Sequence, residues 1–73
     1  MILIQTNTYN SSTVVSSKYT YETKSLEVNF NHASYVYYGV EEEDYVAFRD
    51  AESQGRAINT YIKKYKYSKI EED

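Results

Sequence analysis

Cysteine, proline and tryptophan are absent from this 73-residue sequence, glycine occurs twice and histidine once. Without cysteine there is neither a disulfide framework nor a thiolate zinc site, which suits a reducing compartment, and a cytoplasmic location is expected. Without proline nothing kinks an element from within. Two glycines leave no glycine-rich phosphate loop. No apolar run approaches the roughly 20 residues of a membrane-spanning helix. The opening Met1-Ile2-Leu3-Ile4 is too short for a secretory leader, and no basic residue precedes it. His32 stands without a second histidine or cysteine, so it is expected to be neither a metal ligand nor a general base.

What the chain does have is tyrosine and segregated charge. Ten tyrosines accompany only two phenylalanines, so the core is expected to carry hydroxyls that need partners at its rim. The net charge of −3 argues against a wholesale nucleic-acid coat, but the total hides the pattern. Residues 1–40 are neutral, Glu41-Glu42-Glu43-Asp44 adds four negative charges, and Glu71-Glu72-Asp73 adds three more. Between them, Arg49 to Lys69 holds six positive and two negative residues. The length sets one domain with a small core.

Taken in order, Ile2, Leu3 and Ile4 read as a loosely attached edge strand or a frayed terminus, and Thr6-Asn7-Thr8-Tyr9-Asn10 reads as a loop. Ser11 to Tyr21 has strand composition. Val15, Ser17, Tyr19 and Tyr21 share one face; Val14 breaks the alternation and suggests a bulge. A turn without glycine follows at Glu22-Thr23-Lys24. Leu26, Val28 and Phe30 alternate with Glu27 and Asn29, the cleanest period-2 signal in the chain. A four-residue connection leads to the strand Tyr35–Tyr38, which ends at Gly39. Glu41 to Glu52 reads as a helix whose acidic start suits the helix dipole, with Tyr45, Phe48 and Ala51 on its apolar face. Ser53 is the expected cap of a second helix, in which Ile58, Ile62 and Tyr65 form the buried stripe. Arg56, Thr60, Lys63 and Lys64 form a cationic outer side, and Lys66, Tyr67, Lys69 and Ile70 extend its basic end. The expected fold is α+β: a three-stranded antiparallel meander, with an optional N-terminal edge strand, covered on one face by two C-terminal helices. Residues 1–10 form the edge or arm, 11–70 the domain and 71–73 an acidic tail.

These residues resemble the KTSC domain, a short module named for its place at the C-terminus of some lysyl-tRNA synthetases and also found alone in small bacterial and viral proteins. The resemblance rests on Ser11-Ser12, Val14, Tyr19, the strand Leu26-Val28-Phe30, Tyr35-Val36-Tyr37, Val40, the joint Ala51, Ser53 and Gly55, and Asn59 and Ile62 of the last helix. It runs from Ser11 to about Tyr67. The sequence departs from the family at Ala33, usually glycine; at Glu41, usually proline; at Asp44, usually aliphatic; and at Ala57-Ile58, often an aromatic pair. The resemblance implies an association with RNA, by analogy with a tRNA enzyme.

Function is less legible than fold. Arg49, Arg56, Lys63, Lys64, Lys66 and Lys69 could contact phosphates, and Tyr37, Tyr38, Tyr65 or Tyr67 could stack on unpaired bases. The plain alternative is a solvated helix face beside a tyrosine-rich core. Tyr35 and Tyr37 are expected in that core, which turns Val36 and Tyr38 outward as a small apolar patch suited to a partner or a second copy. The acidic run lacks the spaced ligands of a calcium loop, and Ser53 lacks a partner base. The expectation is a non-enzymatic binding module without cofactor or metal. It would bind tRNA or single-stranded RNA through Arg49, Arg56, Lys63, Lys64, Lys66, Tyr38 and Tyr67. The alternative is a protein-interaction module, such as a viral or mobile-element protein that inhibits a host enzyme or defence protein in the host cytoplasm. Homodimerisation through a sheet edge fits either.

Overall fold

The computed structural model describes residues 3–70. Ile2 of the expected edge and the acidic tail 71–73 lie outside the described residues. Five strands form one antiparallel sheet in chain order: β1 (Ile4–Thr8), β2 (Val14–Thr20), β3 (Ser25–Phe30), β4 (Ser34–Tyr38) and β5 (Lys66–Ile70). Between β4 and β5 come α1 (Glu42–Arg49), α2 (Gln54–Ala57) and a π-helical segment, Ile58–Ile62, that continues α2.

The sheet therefore has two strands more than the three-stranded meander, and both additions are edges. Thr6, Asn7 and Thr8 pair with Lys18, Ser17 and Ser16 instead of looping. Lys66–Ile70 pairs with β4 instead of extending the helix. The register explains why neither edge shows an apolar alternation. One row across the helix-covered face reads Gln5, Tyr19, Leu26, Tyr37, Tyr67, and the next reads Asn7, Ser17, Val28, Tyr35, Lys69. The inward positions of the edges are polar or amphipathic, while the central strands carry Leu26 and Val28, both fully buried.

Polar links do the work of a core at β1. The Asn7 amide donates to the Tyr45 hydroxyl at 2.6 Å, that hydroxyl donates to Gln5 Oε1 at 2.5 Å, and Arg49 Nη1 donates to the same oxygen at 2.9 Å. Tyr9, just past the strand, exchanges a 2.7 Å hydrogen bond with Ser17 and sets its ring edge-on to Phe48.

The bulge lies where the alternation broke. Val14 faces Phe30 and Ser16 faces Asn29, so Val15 is the extra residue. It is Val14 that is fully buried and Val15 that is exposed, the reverse of the side expected for Val15. The glycine-free turn places Lys24 at φ 55°, and its carbonyl accepts from the Val40 amide.

The first helix stops at Arg49, three residues short of the expected Glu52. Buried Gln54 closes it: its Nε2 donates to the carbonyls of Ala51 at 2.8 Å and Arg49 at 3.3 Å, groups a helix end otherwise leaves unpaired. Ser53 caps α2 as expected, its hydroxyl accepting from the Arg56 amide. Gly55 brings that first turn against the β1–β2 loop, where a Cβ would meet Thr13 at 3.3 Å. Tyr45 and Phe48 of α1, with Ile58 and Ile62 beyond it, complete the core over the sheet. Among the described residues no helix is long and apolar enough to cross a membrane.

Gly39 adopts φ +69° at the exit from β4, with open space around the missing Cβ. The cost of a side chain there is conformational, not steric. Gly39→Ala is expected to lower stability by about 1–2 kcal/mol, read as an earlier urea midpoint with an unchanged slope.

Candidate nucleic-acid interface

The structure scatters the seven expected binding residues over separate parts of the surface. Arg49 sits on the β1 side. It is held by Asp50 at 2.9 Å and by Gln5, with its guanidinium 5.7 Å from the Tyr45 ring centroid. The hydrogen bond to Asp50 pushes the Arg49 guanidinium up and helps hold the Asp50 carboxyl below its usual range. Lys64 pairs with Asp44 at 3.0 Å and lies 5.4 Å from the Tyr65 ring centroid. The Tyr65 hydroxyl, which donates to Asp44 and accepts from the Glu41 amide, joins Lys64 in lowering the Asp44 pKa. Tyr65 is thereby tied to the start of α1 and offers no platform. Tyr38 and Lys66 form a cross-strand pair on the outer face of the sheet, together with Val36, which is half-buried.

Lys63 and Tyr67 come together on the opposite, helix-bearing face. There, Phe30, Tyr35, Tyr37, Ile58, Asn59, Lys63 and Tyr67 line an open groove of about 210 Å³. Its floor is an aromatic run: Phe30 and Tyr35 meet edge-on at 5.7 Å, Tyr35 and Tyr67 edge-on at 5.7 Å, and Tyr37 and Tyr67 tilted at 5.5 Å. The floor grades from dry to wet, since Tyr37 is buried while Tyr67 is 58% exposed. Burial raises the pKa of the Tyr37 hydroxyl above its ordinary value. The helix side of the groove is the π-helical segment, closed by a Lys63 amide to Ile58 carbonyl bond of 2.7 Å. That wider turn places Asn59 and Lys63 at the mouth, and π-bulges of this sort recur at functional sites. Arg56 precedes Asn59 by three residues and is exposed. Lys69 shares the inner row with Tyr35 at the far end of β5. Arg56, Lys63, Lys66 and Lys69 have no ion pair among the described residues, unlike Arg49 and Lys64.

Of the seven, Lys63 and Tyr67 line the groove, while Arg49, Arg56, Lys64, Lys66 and Tyr38 lie outside it; Asn59 and Phe30, which do line it, were not among the expected site residues. Gln5, which holds Arg49, and Tyr67 are four strands apart in one row, roughly 19 Å at ordinary strand spacing. Arg49 and the groove therefore belong to different edges of the molecule.

Comparison with known proteins agrees with this arrangement of strands and helices. The family profile of the KTSC domain matches residues 10–71, most of the chain. The chain belongs to the KTSC domain family. A crystal structure of a KTSC domain protein from Yersinia pestis superposes with a TM-score of 0.86 at 32% identity, covering 94% of this chain and 100% of that one. No curated protein matches the sequence. The groove lies wholly within the matched KTSC region, and so does the Ala51–Gly55 joint that sets its helix side.

Proposed function

We propose that this KTSC domain is a non-enzymatic binding module for single-stranded RNA, with the groove between β4–β5 and the π-helical segment as its contact surface. The observation that carries the reading is the juxtaposition of an aromatic floor, exposed at Tyr67, with the Lys63 ammonium, which has no ion pair among the described residues, at its rim. Bases of any identity stack on aromatic faces, and cations track the phosphates; this pairing of features is what sequence-tolerant single-strand binding requires. Arg56 and Lys69 extend positive charge to either side. Lys64 and Arg49 drop out of the surface because carboxylates already neutralise them.

The test is fluorescence anisotropy of a labelled, unstructured RNA titrated with the protein at several salt concentrations. Binding is expected to weaken with salt on a slope set by about 0.7 per phosphate contacted. The Arg56→Ala/Lys63→Ala/Lys69→Ala variant should bind at least tenfold more weakly with a shallower slope. An Arg49→Ala/Lys64→Ala variant should leave the slope unchanged. Salt-insensitive binding, or the opposite ranking of the variants, contradicts the reading. Absence of binding at low salt turns it toward a protein partner, for which the half-exposed Tyr38 on the outer face is the leading contact.

A further inference from the structure

We propose that the free edge of β1 pairs with β1 of a second copy of this chain, joining the two sheets through a two-fold axis at Thr6. This edge lies at the opposite margin of the sheet from the groove, and the inference stands independently of the RNA reading.

β1 is the first strand of the sheet and has a strand neighbour on one side only, β2. The hydrogen bonds show which of its backbone groups are left over. The Leu3 carbonyl accepts from the Tyr21 amide at 3.1 Å, and the Tyr9 amide donates to the Val15 carbonyl at 3.0 Å. Antiparallel ladders alternate, so Leu3, Gln5, Asn7 and Tyr9 turn their backbone groups to β2, while Ile4, Thr6 and Thr8 turn theirs to the open side. These last three residues are exposed. The strand carries none of the usual devices that blunt an edge: Ile4–Thr8 holds no charge and no proline, and its register with β2 is unbroken. The other edge is protected. β5 carries Lys66 and Lys69, neither ion-paired among the described residues, and a β5–β5 seam would gather both lysines of both copies.

A second β1 fits because the strand is complementary to itself. With Thr6 opposite Thr6, Ile4 faces Thr8, and these residues exchange the free backbone bonds in pairs. Threonine opposite threonine is a favoured cross-strand pair. Gln5 then faces Asn7, both uncharged. Leu3 faces Tyr9 on the helix-bearing side, at the closer spacing of a non-hydrogen-bonded pair. Leu3 is 60% exposed in the single chain, and the half-buried Tyr9 ring gives it an apolar neighbour across the seam. Charge does not oppose the pairing. Arg49, bonded to both Gln5 and Asp50, brings one cation and one anion per copy to this margin. On the outer face each Lys18 lies beside Thr6, so the two ammoniums stand three strand spacings apart. That is roughly 14 Å, beyond the screening length of about 8 Å at physiological salt. The contact is small, below the about 1,000 Å² of a standing interface, so a dissociation constant on the order of 100 μM is expected.

The test is sedimentation equilibrium of the full chain from about 10 μM to about 1 mM, with amide exchange recorded at both ends of that range. The average mass is expected to rise from one chain toward two, and the Ile4, Thr6 and Thr8 amides to exchange several-fold more slowly in the concentrated sample. Thr6→Lys sets like charges opposite each other at the axis and should stay a monomer throughout. The Thr6 side chain is exposed, so this variant should melt like wild type. Mixed with Thr6→Glu, it should form a heterodimer tighter than either variant forms with itself, an outcome that requires position 6 to meet position 6. Leu3→Ala should weaken the dimer several-fold. Ser68→Lys, an exposed position in β5, should dimerise as wild type does. A dimer that survives Thr6→Lys, one lost in Ser68→Lys instead, or no gain on mixing the Thr6 variants overturns the proposal. So does a monomer at every concentration with freely exchanging β1 amides, which would leave that edge to a strand of another protein.

Discussion

Tyr45→Ala is expected to cost about 3–5 kcal/mol of folding stability, the range for deleting a buried aromatic side chain. A domain of this length holds about 4–11 kcal/mol in all, so the variant should be largely or partly unfolded at 37 °C, with its melting point lowered by roughly 15–30 °C. The size follows from what Tyr45 joins. Its ring is fully buried and stacks on Tyr19 at 4.4 Å with the planes 10° apart, and Tyr21 meets it edge-on at 6.3 Å. Its hydroxyl is the central link of the Asn7–Tyr45–Gln5–Arg49 chain that fastens β1 to α1. Tyr45→Phe separates the two roles. It keeps the ring, loses the link, and should cost about 1–3 kcal/mol from the unpaired polar groups left behind. Hydrogen exchange in that variant should rise first in β1. If Tyr45→Phe equals wild type in both respects, the polar tether is not what holds the edge.

Tyr67→Ala is expected to show the opposite profile: little change in stability and a large loss of RNA affinity. Tyr67 is exposed on an edge strand, so truncation removes little buried area. Stacking of one base on an aromatic ring contributes about 1–3 kcal/mol, which translates to a weakening of roughly 5- to 150-fold. Tyr38→Ala is the matched control. It is also an exposed strand tyrosine, 47% against 58%, but it lies on the other face of the sheet beside Lys66. Tyr38→Ala should bind like wild type. If Tyr38 proves the sensitive position and Tyr67 the silent one, the open sheet face is the interface and the groove is not.

These two tyrosines also mark where sequence reading succeeds and where it stops. The central strands were legible because Leu26, Val28 and Phe30 sit on a sheet with one dry face, and burial writes itself into a period of two. The α1 face was legible for the same reason at Tyr45 and Phe48. The edges were not, since β1 turns Gln5 and Asn7 inward and β5 turns Tyr67 and Lys69 inward, residues chosen for hydrogen bonding or solvent contact at the margin. The last strand was read as helix because Lys66, Tyr67, Lys69 and Ile70 continue the composition of the segment before them. The reversal comes instead at Tyr65, whose amide bonds back to the Ile62 carbonyl. Charge placement was legible, but pairing was not. Nothing in the chain order tells that Lys64 meets Asp44 twenty residues earlier while Lys63 meets no carboxylate among the described residues. Asn59 was visible only as a residue shared with the KTSC family; that it lies on a π-turn over aromatic rings is a three-dimensional fact.

The most direct test of the binding surface is an amide chemical-shift map of the labelled domain titrated with a short single-stranded RNA. The groove reading predicts the largest shifts at Phe30, Tyr35, Asn59, Lys63 and Tyr67, with Thr6, Lys18 and Tyr38 on the outer face unmoved. Shifts concentrated at Val36, Tyr38 and Lys66, or none at saturating RNA in low salt, would contradict it.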